Sequence, residues 1–222
     1  MWCVAKLDEE YIRRMEDVLK LYEKPISEEE PVVCIDEKPV VLHQDIRTPL
    51  PARPGHLARR DYEYKRCGTA NVFCGVEPKA GRHFPKPTAT RSAAEFADYL
   101  VEVVARYPHA RTIHLVLDNL NTHRRKAITD RYGRKLGNLL WNRFTPHYTP
   151  KHGSWLNQAE IEVSLLSRQC LGHCRIPDLT TLVGEVGAWG RRLNRNHTAI
   201  EWNFTRKQAR RKVHYSITKT RY

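Results

Sequence analysis

Two short apolar segments of this chain each run directly into an aspartate. Residues 31–35 (PVVCI) precede Asp36, and residues 112–117 (TIHLVL) precede Asp118. Apolar runs of this length that are rich in β-branched residues are typical of buried strands, and the ligands of open α/β sheets gather where strands end. If the two strands are neighbours, both carboxylates lie on the same edge of one sheet.

The other segments surround these strands with helices. Residues 92–106 predict an amphipathic helix in which Ser92 and Glu95 have the spacing of a capping box, and residues 8–23 show the same apolar periodicity. Strands come first, and strand and helix then alternate, which favours an α/β fold with a mixed central sheet and helices on both faces. Further strands are predicted at 40–43, 67–77, 82–86 and 138–145, and further helices at 122–131, 155–171 and 178–193.

The length of 222 residues predicts one main domain with a full core. We place this α/β domain at residues 31–200, after an N-terminal helix and linker at 1–30 and before a basic C-terminal tail at 201–222. Within the domain, residues 47–66 predict a basic arm rather than a core element, because several prolines and Gly55 interrupt any regular pattern there.

Positive charge dominates the composition, with 38 lysines and arginines against 25 aspartates and glutamates and a net charge of +13. Such an excess favours a polyanionic partner, of which nucleic acid is the commonest; the alternative is a solvated basic face. No segment has the roughly 18 consecutive apolar residues that a membrane span needs, and the N-terminus lacks a signal-peptide pattern. We therefore expect a cytoplasmic protein that contacts nucleic acid and no membrane.

Clustered carboxylates have a specific chemical use in a basic protein. They repel one another unless a cation neutralises them, and their oxygens suit Mg²⁺ or Mn²⁺. Two such ions stabilise the attacking and the leaving oxygen of a phosphodiester displacement. For a third acid, Glu160 and Glu162 flank the apolar stripe of the predicted helix 155–171, and periodicity does not choose between them. The alternative is that Asp36 and Asp118 are ordinary turn residues.

Three segments together resemble the transposases of the insertion-sequence 630 family, within the mariner-like superfamily. They are VVCIDE at 32–37, LDNLNTH at 117–123 and TPKHGSWLNQAEIEV at 149–163. Each motif alone is modest, and their order and spacing make the match specific. The segments PLPARPGH and DYEYKRCGTANVF also look like this family, so the resemblance extends from residue 31 to about residue 214.

The resemblance implies a ribonuclease-H-like fold with a metal site built from two aspartates and a glutamate. Asp36 would be the first acid, Asp118 the second, and Glu160 in the LNQAE segment the third, together holding two Mg²⁺ or Mn²⁺ ions. Asn119, Asn121 and His123 match family residues beside the second acid, and would shape the metal site or contact DNA. The residues that we expect to contact DNA are Asn119, Asn121, His123, Arg124, Arg125, Lys126, Lys151, His152, Arg191 and Arg192.

The family also implies cut-and-paste transposition in the bacterial cytoplasm, close to the nucleoid. A water activated by the metal would attack a phosphodiester at the end of the element, and the freed 3′-hydroxyl would attack target DNA, typically at a TA step. DNA and a second copy of the chain are the expected partners. Family members normally carry an N-terminal helix-turn-helix region, and we expect it to be missing here. A truncated, inactive DNA-binding remnant and another ribonuclease-H-like nuclease are the alternatives.

Overall fold

A computed structural model describes residues 7–118, 123–172 and 174–213 of the chain. The strands are β1 (Val32–Asp45), β2 (Tyr64–Glu77), β3 (Arg82–His83), β4 (Lys86–Thr88), β5 (Ile113–Leu117) and β6 (Phe144–Tyr148). The helices are α1 (Glu9–Glu23), α2 (Ala93–Arg106), α3 (Arg125–Tyr132), α4 (Arg134–Trp141), α5 (Ala159–Leu166), α6 (Leu179–Asn196) and α7 (Arg206–Val213). A 3₁₀ turn at Ser154–Leu156 precedes α5, and a π-helical turn at Ser167–Leu171 follows it.

The six strands form one mixed sheet in the order β3-β2-β1-β5-β6, with β4 also paired to β2. Strands β1 and β2 are antiparallel, whereas β5 is parallel to β1 and β6 is parallel to β5. The crossover from the hairpin to β5 runs through α2, as parallel pairing requires. The predicted α/β class with a mixed central sheet is therefore confirmed.

Alternate side chains of the strands point to opposite faces of the sheet, and helices cover both faces. On one face, Ile35, Phe73 and Leu115 pack against Phe96 and Leu100 of α2. On the other face, Cys34, Val76 and Val116 pack against α1 and the start of α5. Farther along the β1–β2 ribbon, α6 covers a third cluster with Leu182, Val186 and Trp189. Burial on both faces explains why the strands read as nearly continuous apolar runs.

The prediction of two short strands at 31–35 and 40–43 is wrong, because β1 runs without interruption from Val32 to Asp45. Its antiparallel partner β2 pairs with it along this length, with one register irregularity between Val41 and His43. Asp36 therefore lies inside a long strand. It lies two residues after Cys34, the last residue of β1 that pairs with β5.

The prediction of a strand at 138–145 is also wrong for the first part of this range. Residues Arg134–Trp141 form α4, and the strand begins only at Phe144. Gly137 lets α4 pack closely on α3, since a Cβ there would lie 2.7 Å from the Cα of Thr129. The apolar residues of α4 thus belong to a helical hairpin, which a short apolar run does not distinguish from a strand.

The basic tail forms a helix that packs on the opposite end of the chain. Arg206 of α7 pairs with Glu23 of α1 at 2.7 Å, and Arg210 pairs with Glu16 at 2.7 Å. Ala209 is buried between the two helices. Residues 214–222 of the predicted tail lie outside the described residues. In the part of the chain that the structure describes, no helix is long and apolar enough to cross a membrane.

Candidate active site

Asp36 and Asp118 come from neighbouring parallel strands. Cys34 of β1 lies opposite Val116 of β5, and extending this register by two residues brings Asp36 opposite Asp118. Both side chains thus lie where β5 ends. The two strands are therefore neighbours, which was the condition for both aspartates to lie at one edge of the sheet.

Asn157 fixes the beginning of α5 next to this edge. Its side-chain nitrogen donates to the carbonyl of Ile35 at 2.8 Å, and its side-chain oxygen accepts from the backbone N–H of Ala159 at 3.1 Å. The residue is 1% exposed. The predicted helix at 155–171 therefore begins only at Ala159, after the 3₁₀ turn, and it places Glu160 in its first turn.

Glu160 and Glu162 have opposite environments, although periodicity alone did not separate them. Glu160 is exposed. Glu162 is fully buried, and its Oε2 lies 2.9 Å from Nδ1 of His83. Its Oε1 is buried with no hydrogen-bond partner among the described residues. Of the two, only Glu160 is open to solvent and therefore to a substrate.

Asp118 and Glu160 are close enough to Asp36 to raise its pKa. The pKa of Asp36 is raised from its ordinary value of 3.8 to about 7, first because the carboxyl is buried and then because Glu160 and Asp118 add negative charge. The backbone N–H of Glu37 donates to Asp36 at 2.8 Å and offsets part of this rise. A cation bound to this carboxylate would offset both the burial and the repulsion.

This donor set fits a hard divalent cation. Its ligands would be carboxylate oxygens, which Mg²⁺ and Mn²⁺ prefer, and the Asp118 side chain is 31% exposed, which leaves room for water and substrate. Within the described residues, no three acidic, histidine or cysteine side chains already surround a common point. The site is an open cluster whose mutually repelling carboxylates would converge on the ion.

His123 bridges Asp118 and a fourth carboxylate, Glu37. Its Nδ1 lies 2.5 Å from Oδ1 of Asp118, and its Nε2 lies 2.8 Å from Oε1 of Glu37. Burial alone would lower the pKa of His123, but the hydrogen bonds to the two carboxylates raise it to about 9. The ring is therefore protonated at neutral pH and donates from both nitrogens, which orients the Asp118 carboxylate.

Burial decides between the two roles expected for His123. Its side chain has no exposed surface, and its ring packs 4.4 Å from that of Phe96. The side chain therefore cannot reach DNA in this structure, and the geometry supports the role of shaping the acid site. Glu37 and Asn157 were missed from the sequence. The Asn before the helix is a recognisable helix-start signal, whereas nothing local distinguishes Glu37 from a solvated acid.

Some of the expected DNA contacts lie beside the acids. Arg124, Arg125 and Lys126 are exposed directly after His123, where α3 begins. Lys151 and His152 are exposed in the loop after β6. Thr149 at the start of this loop donates its backbone N–H to the carbonyl of Leu117 at 2.9 Å, so the loop leaves the sheet next to Asp118.

Other expected contacts are not brought to the acids. Arg191 and Arg192 are exposed on α6, which packs toward β3 and β4, at the edge of the sheet opposite to β6. Arg191 and Arg192 therefore lie on a different part of the surface from Lys126 and Lys151. Asn119 and Asn121 lie outside the described residues.

Solved structures of Mos1 mariner complexes share this fold. A pre-cleavage Mos1 transpososome matches with a TM-score of 0.56 at 15% identity, over 89% of this chain and 61% of that one. The Mos1 mariner paired end complex with Mn matches with a TM-score of 0.54 at 16% identity, over 89% and 61%. The likeness concerns the fold, and it confirms the predicted ribonuclease-H-like class. The chain spans about three fifths of the length of these transposase chains.

The sequence itself matches a family model. No curated protein matches this chain significantly. However, the model described as DDE superfamily endonuclease matches residues 31–183, which include Asp36, Asp118 and Glu160. This match covers more than half of the 222 residues, and the chain therefore belongs to the DDE superfamily of endonucleases.

Proposed function

We propose that this chain is the catalytic domain of a cut-and-paste DNA transposase of the insertion-sequence 630 kind. Asp36, Asp118 and Glu160 are its catalytic acids, and they hold two Mg²⁺ or Mn²⁺ ions. The observation that carries the proposal is the arrangement of two aspartates on neighbouring parallel strands, with Asn157 tying the helix that bears Glu160 to the same edge.

The bound ions would activate the attacking oxygen and stabilise the leaving oxygen of a phosphodiester. The protein supplies the remaining functions. His123 orients the Asp118 carboxylate through its hydrogen bond of 2.5 Å, and Asn157 holds Glu160 in position. Arg124, Lys126 and Lys151 would bind phosphates of the DNA that enters the site, and such contacts position a substrate without reading its sequence.

The proposed reaction needs no covalent protein–DNA intermediate. Water attacks the phosphodiester at the end of the element and frees a 3′-hydroxyl, which then attacks the target strand. Because transposition joins two ends, we propose a homodimer as the working unit, acting on bacterial chromosomal DNA. Recognition of a specific end sequence would come from a helix-turn-helix region like that of other family members.

Nicking of a supercoiled plasmid tests this proposal. Wild-type protein should nick it only with Mg²⁺ or Mn²⁺, and Asp118→Asn and Glu160→Gln should each lower the rate by about 100-fold or more, because a metal ligand is lost. The matched control is Glu185→Gln, an exposed acid on α6, which should nick like wild type. The proposal fails if Asp118→Asn nicks as fast as wild type. Faster cleavage of an RNA–DNA hybrid than of DNA would indicate another ribonuclease-H-like nuclease.

A further inference from the structure

The connection between β1 and β2, residues 46–63, is an ordered hairpin that we call the arm. Leu50 and Arg59 exchange two backbone hydrogen bonds of 2.9 and 3.0 Å, and Arg53 and His56 exchange two of 3.0 and 2.8 Å. Gly55, with φ of 78°, closes the turn at the tip, where the left-handed region suits glycine. The arm therefore has its own backbone pairing beyond the end of the sheet.

Arg175 holds both stems of the arm. One of its terminal nitrogens, Nη1, donates to Oδ1 of Asp45 at 2.7 Å and to the carbonyl of Glu63 at 2.8 Å. The other, Nη2, donates to the carbonyls of Asp61 at 2.9 Å and Tyr62 at 3.2 Å. Arg175 belongs to the segment between the π-helical turn and α6, so one side chain from a distant part of the chain sets the direction of the arm.

The surroundings of Arg175 keep this side chain in place. Its guanidinium lies 5.2 Å from the centre of the Tyr64 ring. The next residue, Ile176, accepts a hydrogen bond of 2.8 Å from the backbone N–H of His43 on β1. A planar guanidinium can serve a carboxylate and three carbonyls at once, which a lysine ammonium with its single nitrogen cannot reproduce. The contact therefore depends on arginine and not on positive charge alone.

The arm presents cations to solvent, whereas Asp45 at its base and Asp61 within it are already paired. Asp45 is bound by Arg175 and lies 3.5 Å from Arg60, and Asp61 lies 3.3 Å from Arg47. Arg47 and Arg60 are exposed but lie against these acids. The other exposed cations on the arm and at the start of β2 are Arg53, Arg59, Lys65 and Arg66. Their positive charge is complementary to a polyanion such as nucleic acid.

We propose that the arm binds the phosphate backbone of duplex DNA, with Arg175 as the positioning residue that holds it in its binding orientation. Arg53, Arg59, Lys65 and Arg66 are the phosphate-binding side chains. The inference rests on the proposed function in that DNA is the substrate. Because the arm is ordered before DNA arrives, its cations bind without the cost of ordering a loose segment.

Salt-dependent binding of a 30-base-pair duplex, followed by fluorescence anisotropy in EDTA, tests this inference. Each lost phosphate contact lowers the slope of log K against log salt by about 0.9. The double variant Arg53→Gln/Arg59→Gln should therefore lower the slope by about 2. The matched control Arg13→Gln/Lys20→Gln removes the same charge from exposed positions of α1, and its slope should equal that of wild type.

Arg175→Lys separates positioning from charge. The variant keeps the net charge but loses the forked contacts, so its slope should fall toward that of the Arg53/Arg59 variant. Trypsin should also cut its arm at least several-fold faster, because the stems are released, while its Mn²⁺ affinity stays that of wild type. A wild-type slope for Arg175→Lys would overturn the positioning role.

The two arm arginines are exposed, so their variant tests the inference even if Arg175→Lys folds poorly. An unchanged slope for Arg53→Gln/Arg59→Gln overturns the arm as a DNA contact while leaving the proposed function intact. A change in sedimentation without a change in slope would assign the arm to a protein partner instead, and would equally overturn the inference. Absence of salt-dependent DNA binding in wild type would contradict the proposed function itself.

Discussion

Asp36 combines burial with two acidic neighbours, and both raise the pKa of its carboxyl. At pH 7 its carboxyl is about half protonated in the metal-free protein, since its pKa is raised to about 7. Because this value lies above the ordinary 3.8, ionising Asp36 costs the metal-free fold stability as the pH rises from about 4 to 7. A cation that binds the carboxylate would remove this cost.

Affinity for Mn²⁺ should consequently depend on pH. A ligand must lose its proton before it binds, so the association constant should rise by up to about tenfold per pH unit below pH 7 and level off above about pH 8. Calorimetric titration between pH 5.5 and 8.5 measures this, with Asp36→Asn as the control that binds weakly at every pH. A pH-independent affinity in wild type would remove Asp36 from the ligand set.

The two glutamates of α5 should give opposite phenotypes. Glu160→Gln should weaken Mn²⁺ binding and leave the free energy of unfolding nearly unchanged, because the side chain is exposed. Glu162→Gln should lower the free energy of unfolding by about 1–3 kcal/mol, because its buried hydrogen bond to His83 changes, and should leave Mn²⁺ affinity unchanged. Urea unfolding and calorimetry distinguish the two, and the reverse pattern would identify Glu162 as the third ligand.

At the scale of elements, the start of α5 connects fold to site. Asn157 accepts a hydrogen bond from the first backbone N–H of the helix and donates one to the strand carbonyl directly before Asp36. Asn157→Ala should lower the free energy of unfolding by about 1–2 kcal/mol and weaken Mn²⁺ binding, because Glu160 loses its fixed position. Ser92→Ala is the matched control, since it removes a helix cap on α2 at a similar cost in stability. Equal Mn²⁺ affinities for the two variants would show that Asn157 only stabilises the helix.

The sequence correctly predicted those helices and strands whose limits are set by interactions between residues close together in the chain. The capping box of Ser92 and Glu95 and the apolar face of α2 gave this helix its correct limits, and the apolar run before Asp118 gave β5. The length of β1 depends on pairing with β2, and α4 depends on close packing against α3 at Gly137. These contacts are tertiary, so the sequence pattern alone gave wrong limits for both elements.

Within the site, too, some residues can be identified from local sequence patterns and others only from tertiary contacts. Asp36 and Asp118 follow recognisable strands, and the family motif chose Glu160 where periodicity left two candidates. The roles of Glu37 and His123 depend on a bridge between residues 86 positions apart. The burial of the His123 side chain, which packs against Phe96, keeps it from any surface that DNA could contact. No local pattern carries such information.

At the scale of the whole molecule, the sheet brings three distant segments of the chain to one edge. Strands β1 and β5 supply two acids, α5 supplies the third, and the loops after β5 and β6 place cations beside them. The arm and the cations of α6 lie on other parts of the surface. Together these features describe a basic molecule with one acidic centre, an arrangement suited to holding polyanionic DNA over divalent cations.

Anomalous diffraction from crystals soaked in MnCl₂ tests the central claim most directly. The account predicts one or two manganese peaks at about 2–2.5 Å from carboxylate oxygens of Asp36, Asp118 and Glu160. It also predicts that Glu160→Gln crystals lose at least one peak, or a large part of its occupancy. Manganese bound elsewhere, such as at the His83–Glu162 pair, or no peak near the three acids at saturating MnCl₂, would contradict it.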